Sequence, residues 1–246
     1  MPSASIDQVR GTGKATTLRR NFPCRASSAG CSMTYRITTC VAERNGNENY
    51  SDAPPVEGQY VMATYSPNGL CSEPSANEIA LLSNDKATLE AKIDGLVTGT
   101  GSAGHLGPQW GWYTLSPQWA SAWPSSTNAA SQYDGRRTTK IVVLTSDGGA
   151  QSEFDAGGLS VNFPGAGPSA NAPSNQQYLI LCDHMKASGI VLYAVGVGLS
   201  ETDAEFEKLK SCASGPHMFY NAANELQLKQ VFIDIALSLS SLHLGQ

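Results

Sequence analysis

The chain has 246 residues, of which 41% are hydrophobic and 15% charged, with 24 glycines, 13 prolines and a net charge of -5. That length holds one large α/β domain or two small ones, and the composition excludes a disordered chain. The modest acidic balance argues against nucleic acid as the main partner, although residues 1–50 carry seven basic side chains against three acidic ones. Such a basic arm suits an anionic surface or a solvated end.

In chain order, residues 1–75 are rich in Ser, Thr, Asn, Gly and Pro. They read as a loop-rich, disulfide-stapled segment with short strands near Thr34–Val41 and Tyr60–Tyr65. Residues 76–246 read as the main body of the fold. Glu78–Ser83 is a short extended run. A helix follows over 86–96, with Leu89, Ile93 and Leu96 on one face and Ser83 or Asn84 as its cap. After the turn Gly99–Gly104, a helix is predicted from His105 to Leu115.

Ile141-Val142-Val143-Leu144-Thr145 is β-branched and continuous, the pattern of a strand buried on both faces of a parallel sheet. It runs into Ser146-Asp147-Gly148-Gly149, and a loop occupies 148–175. A helix over 176–188 stops at Gly189, a strand follows at 190–197, and Ser200 with Asp203 caps a helix ending at Cys212. His217–Tyr220 reads as a strand. The last helix, 222–242, buries Leu228, Val231, Phe232, Ile235, Leu239 and Leu242. Alternating strands and helices specify an α/β fold, a parallel sheet flanked by helices.

Six cysteines carry no CxxC and no zinc spacing. In an oxidising compartment they make three disulfides; in a reducing one they stay thiols. Cys182–Cys212 is the first expected pair, because both fall on helices flanking one strand. Cys24–Cys31 and Cys40–Cys71 follow by proximity in sequence. No apolar run reaches the roughly 20 residues of a membrane span, and no export signal is visible at the N-terminus.

Asp147 is the most informative residue, since ligands bind at the carboxyl ends of strands in open α/β sheets. A carboxylate there suits Mg²⁺, or else caps the turn. Ser102, with Thr100 as second choice, offers a hydroxyl on the glycine-rich turn; turn hydroxyls also bond their own backbone. Gly99, Gly101 and Gly104 match a dinucleotide fingerprint, but a helix precedes them and no acid follows at the required spacing. Ser102, His105 and Asp147 lack a nucleophile elbow. Trp110, Trp112, Trp119 and Trp123 form either a sugar or protein platform or a packed core, with the core favoured.

Several stretches resemble one family. Ile141 to Gly148 looks like the fourth strand and third metal loop of von Willebrand factor A (vWA) domains. Cys40-Val-Ala-Glu-Arg-Asn-Gly, Ser83 to Leu96, Ser102-Ala-Gly-His-Leu-Gly, Trp110 to Pro117, Leu181 to Ile190 and Lys210-Ser-Cys-Ala-Ser resemble TadG-like proteins of the tight-adherence (Tad/Flp) pilus system. The resemblance implies a Rossmann-like vWA domain in the periplasm or cell envelope, tethered to the inner membrane, with other pilus-assembly or envelope proteins as partners and no catalytic residues. It assigns Asp147 to the third metal loop and places Ser102 where the family has Thr. No Asp-x-Ser-x-Ser occurs in this chain, so the domain is expected to be incomplete at its N-terminus. The first strand and the anchor are expected to be absent, any Mg²⁺ weakly held, and the strand at Ile141 left with an open edge. The alternative function is an envelope carbohydrate-binding or hydrolytic protein using the Trp110–Trp123 cluster or Ser102, His105 and Asp147.

Overall fold

The computed structural model describes residues 17–24, 27–56, 59–68, 75–98, 103–123, 129–149 and 152–242. The chain forms two compact units, Met1–Asp134 with Ala150–Leu181, and Gly135–Gly149 with Cys182–Gln246. Each unit takes two stretches of chain, whereas the change of composition near residue 75 divides it once.

The first unit opens with a hairpin of β1 (Thr17–Cys24) and β2 (Ser27–Ile37), paired antiparallel from Thr17↔Arg36 to Phe22↔Cys31. The two-residue β3 (Tyr65–Ser66) adds antiparallel to the far end of β2. A stretch expected to be mostly loop is therefore a regular ribbon, and β2 ends before the predicted 34–41 strand does. Along β1 the half-buried positions are Leu18, Arg20, Phe22 and Cys24. An arginine in that inward row breaks the apolar alternation that would reveal the strand.

Arg20 is held there by Asp155, 3.1 Å away. Asp155 is buried, and its carboxylate also accepts the backbone N–H groups of Gly157 (2.8 Å), Leu159 (3.0 Å) and Gly167 (2.9 Å). The turn it ties presents Leu159 to Tyr35, Ala63 and Tyr65, a small core against the ribbon. Gly158 has a φ of +80°, and a Cβ there would fall 1.7 Å from the Ala63 carbonyl oxygen, so only glycine fits.

The run from Glu78 to Ser83 is not a strand. It follows a 3-10 turn at Ser75–Asn77 and stays irregular, with Ile79 and Leu82 exposed and no strand among the described residues paired with it. Helix α1 (Lys86–Asp94) is two residues shorter than predicted. Its cap is Asp85, not Ser83 or Asn84, because the Asp85 carboxylate reaches the amides of Ala87 (3.1 Å) and Thr88 (3.4 Å). None of its residues is buried, and Ile93 is 65% exposed. Helix α2 (Leu106–Leu115) and a 3-10 turn at Pro117–Ala122 carry the tryptophans. Helix α3 (Ser174–Ala187) belongs to this unit as far as Leu181.

The second unit is a parallel sheet in the order β4 (Ile141–Ser146), β5 (Val191–Val197), β6 (Phe219–Ala222). The interior strand is β5, buried at Leu192 to Gly196. Among the described residues β4 has a strand on one side alone, which leaves Val143 36% exposed and replaces the expectation of burial on both faces with that of an open edge. Tyr193 and Val195 pack on Val231 and Ile235 of α5 (Glu225–Leu242). Phe232 turns out to be exposed, because it stands to one side of the Leu228, Val231, Ile235 and Leu239 stripe that meets the sheet. The last strand starts two residues later than predicted, after a 3-10 turn at Pro216–Met218.

Helix α4 (Ala204–Cys212) starts after Asp203, whose carboxylate folds back onto the Ser200 amide at 2.8 Å. The disulfide Cys182–Cys212 ties the middle of α3 to the end of α4, with Cα atoms 5.3 Å apart, and Cys24–Cys31 closes the hairpin across 5.7 Å. Both pairs were legible from position and proximity. Cys40 is disulfide-bonded too; Cys71, its expected partner, lies outside the described residues.

Breaking Cys182–Cys212, whose partners are 30 residues apart in sequence, removes about 3.5 kcal/mol by restoring freedom to the unfolded chain. The double variant C182S/C212S is expected to melt several degrees lower than the oxidised protein; equal melting temperatures refute this. The three amides and Arg20 hold the Asp155 carboxyl below its ordinary range even though burial, the largest influence on it, pushes it up. A depressed folded pKa means that its stabilisation is present above the unfolded value of about 3.9 and is lost as pH falls through the folded one. Asp155→Ala is expected to cost about 3 kcal/mol at pH 7 and to flatten the acid limb of a stability–pH curve. An unchanged limb counts against this.

Candidate functional site

At the carboxyl end of β4 the strand releases Ser146, Asp147 and two glycines. The Ser146 hydroxyl turns inward, 2.8 Å from the Gly148 carbonyl and 3.2 Å from Glu205 Oε1. Glu205, in the first turn of α4, is buried and paired with Lys208 at 2.5 Å. A carboxylate at that helix end is favoured by the dipole, and the lysine compensates its desolvation. Asp147 is left exposed on the rim.

One exposed carboxylate does not make a magnesium shell. Among the described residues no three His, Cys, Asp or Glu side chains gather to hold an ion. Ser102 and Thr100, expected beside Asp147, lie outside the described residues.

The tryptophans are core. Trp119 stacks on Tyr113 with centroids 3.7 Å apart, and Trp110 meets both edge-on at 5.9 and 5.4 Å. Trp112 and Trp119 are buried to within 2% and Trp123 packs against the cluster. Each indole N–H finds an oxygen: Trp110 at Ala42, Trp112 at the Tyr133 hydroxyl, Trp119 at Asp52 and Trp123 at Tyr113. Arg44 lies over Trp119 at 5.8 Å. Asp52 accepts from Ser116 (2.6 Å), Gln118 (3.2 Å) and Tyr133 (2.6 Å). Burial first, and the bond to Asp52 second, push the Tyr133 hydroxyl up from its ordinary pKa.

His105 does not face the solvent. Both ring nitrogens are taken inside the first unit: Nδ1 lies 2.8 Å from Ser174 Oγ, and Nε2 lies 2.7 Å from Glu43 Oε2. The second contact is close but bent away from the N–H axis, so it is not a directed hydrogen bond. Gln177 Nε2 donates to the same Glu43 oxygen at 2.7 Å, and the Phe154 amide donates to the other at 3.2 Å. His105, Glu43 and Ser174 are fully or almost fully buried. Sequence reasoning missed Glu43 and Ser174 because no local motif joins either of them to His105, and Ser174 is 69 residues away from it.

No protein-family model matches the sequence, and no curated protein matches it. Among solved structures, the chain is similar to the pilus adhesin SpaC from Lactobacillus rhamnosus GG, at 15% identity and a TM-score of 0.45, over 69% of this chain and 24% of that one. The chain thus spans about a quarter of the adhesin's length, a likeness too distant to carry an argument about role.

With ring faces packed on one another, tryptophan emission is expected to be blue-shifted, resistant to iodide, and unmoved by added glycans until the protein unfolds. Quenching of the folded protein would contradict the core assignment.

Proposed function

We propose that this chain is a non-catalytic binding or scaffold module of the vWA type, working in Tad/Flp pilus assembly in the bacterial cell envelope. The observation that carries the reading is Asp147, an exposed acid delivered by a parallel strand to the carboxyl rim of an α/β sheet. Rims of this kind are where such sheets receive ligands. The quoted TadG-like stretches support the pilus assignment, and disulfides in both units suit an oxidising compartment. Among the described residues no helix is long and apolar enough to cross a membrane.

The hydrolytic or carbohydrate-binding reading has less support, because the tryptophans are packed inward and His105 is engaged by Glu43 and Ser174. The binding role proposed here does not run through a metal. Asp147 alone holds Mg²⁺ mainly through water, at about millimolar affinity or weaker.

Biolayer interferometry of the full chain against purified pilus-assembly envelope proteins tests the reading. Binding is expected with no ester or glycoside turnover, with Asp147→Ala weakening it about tenfold, or ~1.4 kcal/mol. Turnover of a generic ester or glycoside, or binding indifferent to Asp147, would overturn it.

A further inference from the structure

The sealed relay behind Ser174 has no use in a binding module. Glu43 is set against His105 Nε2, which favours the tautomer with the proton on that nitrogen and leaves the Nδ1 lone pair to accept from Ser174. This is the arrangement that activates a serine hydroxyl. Its burial denies it any external substrate. One electrophile needs no entry path, the carbonyl carbon of the preceding Pro173, which the serine's own hydroxyl reaches through a five-membered ring.

The surroundings of that peptide bond suit the reaction. The Pro173 oxygen accepts the amides of Gln176 (2.9 Å) and Gln177 (3.0 Å), which open α3 as any first turn does and also stabilise negative charge on that oxygen. The Ser174 amide donates to Glu153 Oε1 at 2.8 Å, so a carboxylate waits where an α-ammonium would form. The positive end of a 14-residue helix favours charge on the serine oxygen. Nucleophile, base, oxyanion donors and a carboxylate for the leaving nitrogen thus converge on one peptide bond, all within the first unit.

We propose that the chain cleaves itself between Pro173 and Ser174 by an N-to-O acyl shift. Ser174 Oγ adds to the Pro173 carbonyl carbon while its proton passes to His105 Nδ1. The Pro173–Ser174 C–N bond then breaks, and the proton on His105 goes to the departing nitrogen. The product is an ester between the Pro173 carbonyl and Ser174 Oγ, with a free amine on Ser174 paired to Glu153. Water hydrolyses the ester, leaving a carboxylate on Pro173 and a restored hydroxyl on Ser174. Glu43 acts through His105 as a positioning residue.

Intact-mass spectrometry of the full chain, incubated near neutral pH with and without hydroxylamine, tests this. The expected result is a pair of fragments, 1–173 and 174–246, accelerated by hydroxylamine, which attacks the ester. Fragment mapping separates this from hydroxylamine cleavage at Asn45–Gly46 and Asn68–Gly69. Ser174→Ala is expected to stay intact at this bond, and His105→Ala to slow cleavage about 100-fold, with melting curves read alongside. Two results overturn the proposal: a wild-type chain that remains whole under both treatments, or cleavage at the same bond in Ser174→Ala. Neither result bears on the envelope-binding role.

Discussion

The first unit is organised around two adjacent charges buried side by side in sequence, Glu43 and Arg44. Charge taken out of water persists only if surrounding groups replace its hydration. Glu43 does this with His105, Gln177 and the Phe154 amide. Arg44 does it with the carbonyls of Ala53 (2.6 Å) and Gln59 (2.7 Å) and with the face of Trp119. Most of those partners come from loops and short turns, and Gln177 comes from the first turn of α3. The two charges therefore tie together Ala53, Gln59, His105, Trp119, Phe154 and Gln177, and the aromatic cluster packs into the frame so formed.

The second unit rests on a different constraint. Its central strand β5 is apolar at nearly every position and must have both faces covered. Helix α5 covers the face of Tyr193 and Val195, and Leu192 and Ala194 alternate to the other side, where they too are buried. The disulfide to Cys212 fixes the end of α4 against α3. Asp147 is positioned as a consequence, because the parallel register Thr145↔Val195 and Ser146↔Gly196 sets where β4 stops.

How much of this the sequence shows depends on whether a signal is local. The second unit was legible nearly element by element, since β4, β5, α4 and α5 carry their own periodicity. Its pairing Cys182–Cys212 followed from the same elements. The first unit was not, because its determinants are paired over long separations: Arg20 with Asp155, Glu43 with Gln177, His105 with Ser174. An inward arginine in β1 hides a strand, and a buried histidine looks like a candidate ligand until its neighbours are known. The place of Asp147 at the end of β4 and the packing of the tryptophans were legible, and the relay was not.

Periodicity also reports a tendency to be buried without naming what does the burying. Helix α1 carries Leu89 and Ile93 of the predicted apolar face, yet Ile93, and Leu96 and Val97 beyond the helix end, stand in solvent. Helix α5 carries a second apolar stripe at Leu226, Ile233 and Leu237, opposite the one that meets the sheet. A helix apolar on two sides is normally enclosed on both, and contiguous apolar surface on a folded protein marks places where other surfaces attach. These open side chains, some in each unit, are apolar surface that the described residues leave uncovered. They also mark a contrast: the buried charges are compensated within the chain, and these apolar side chains stand open among the described residues.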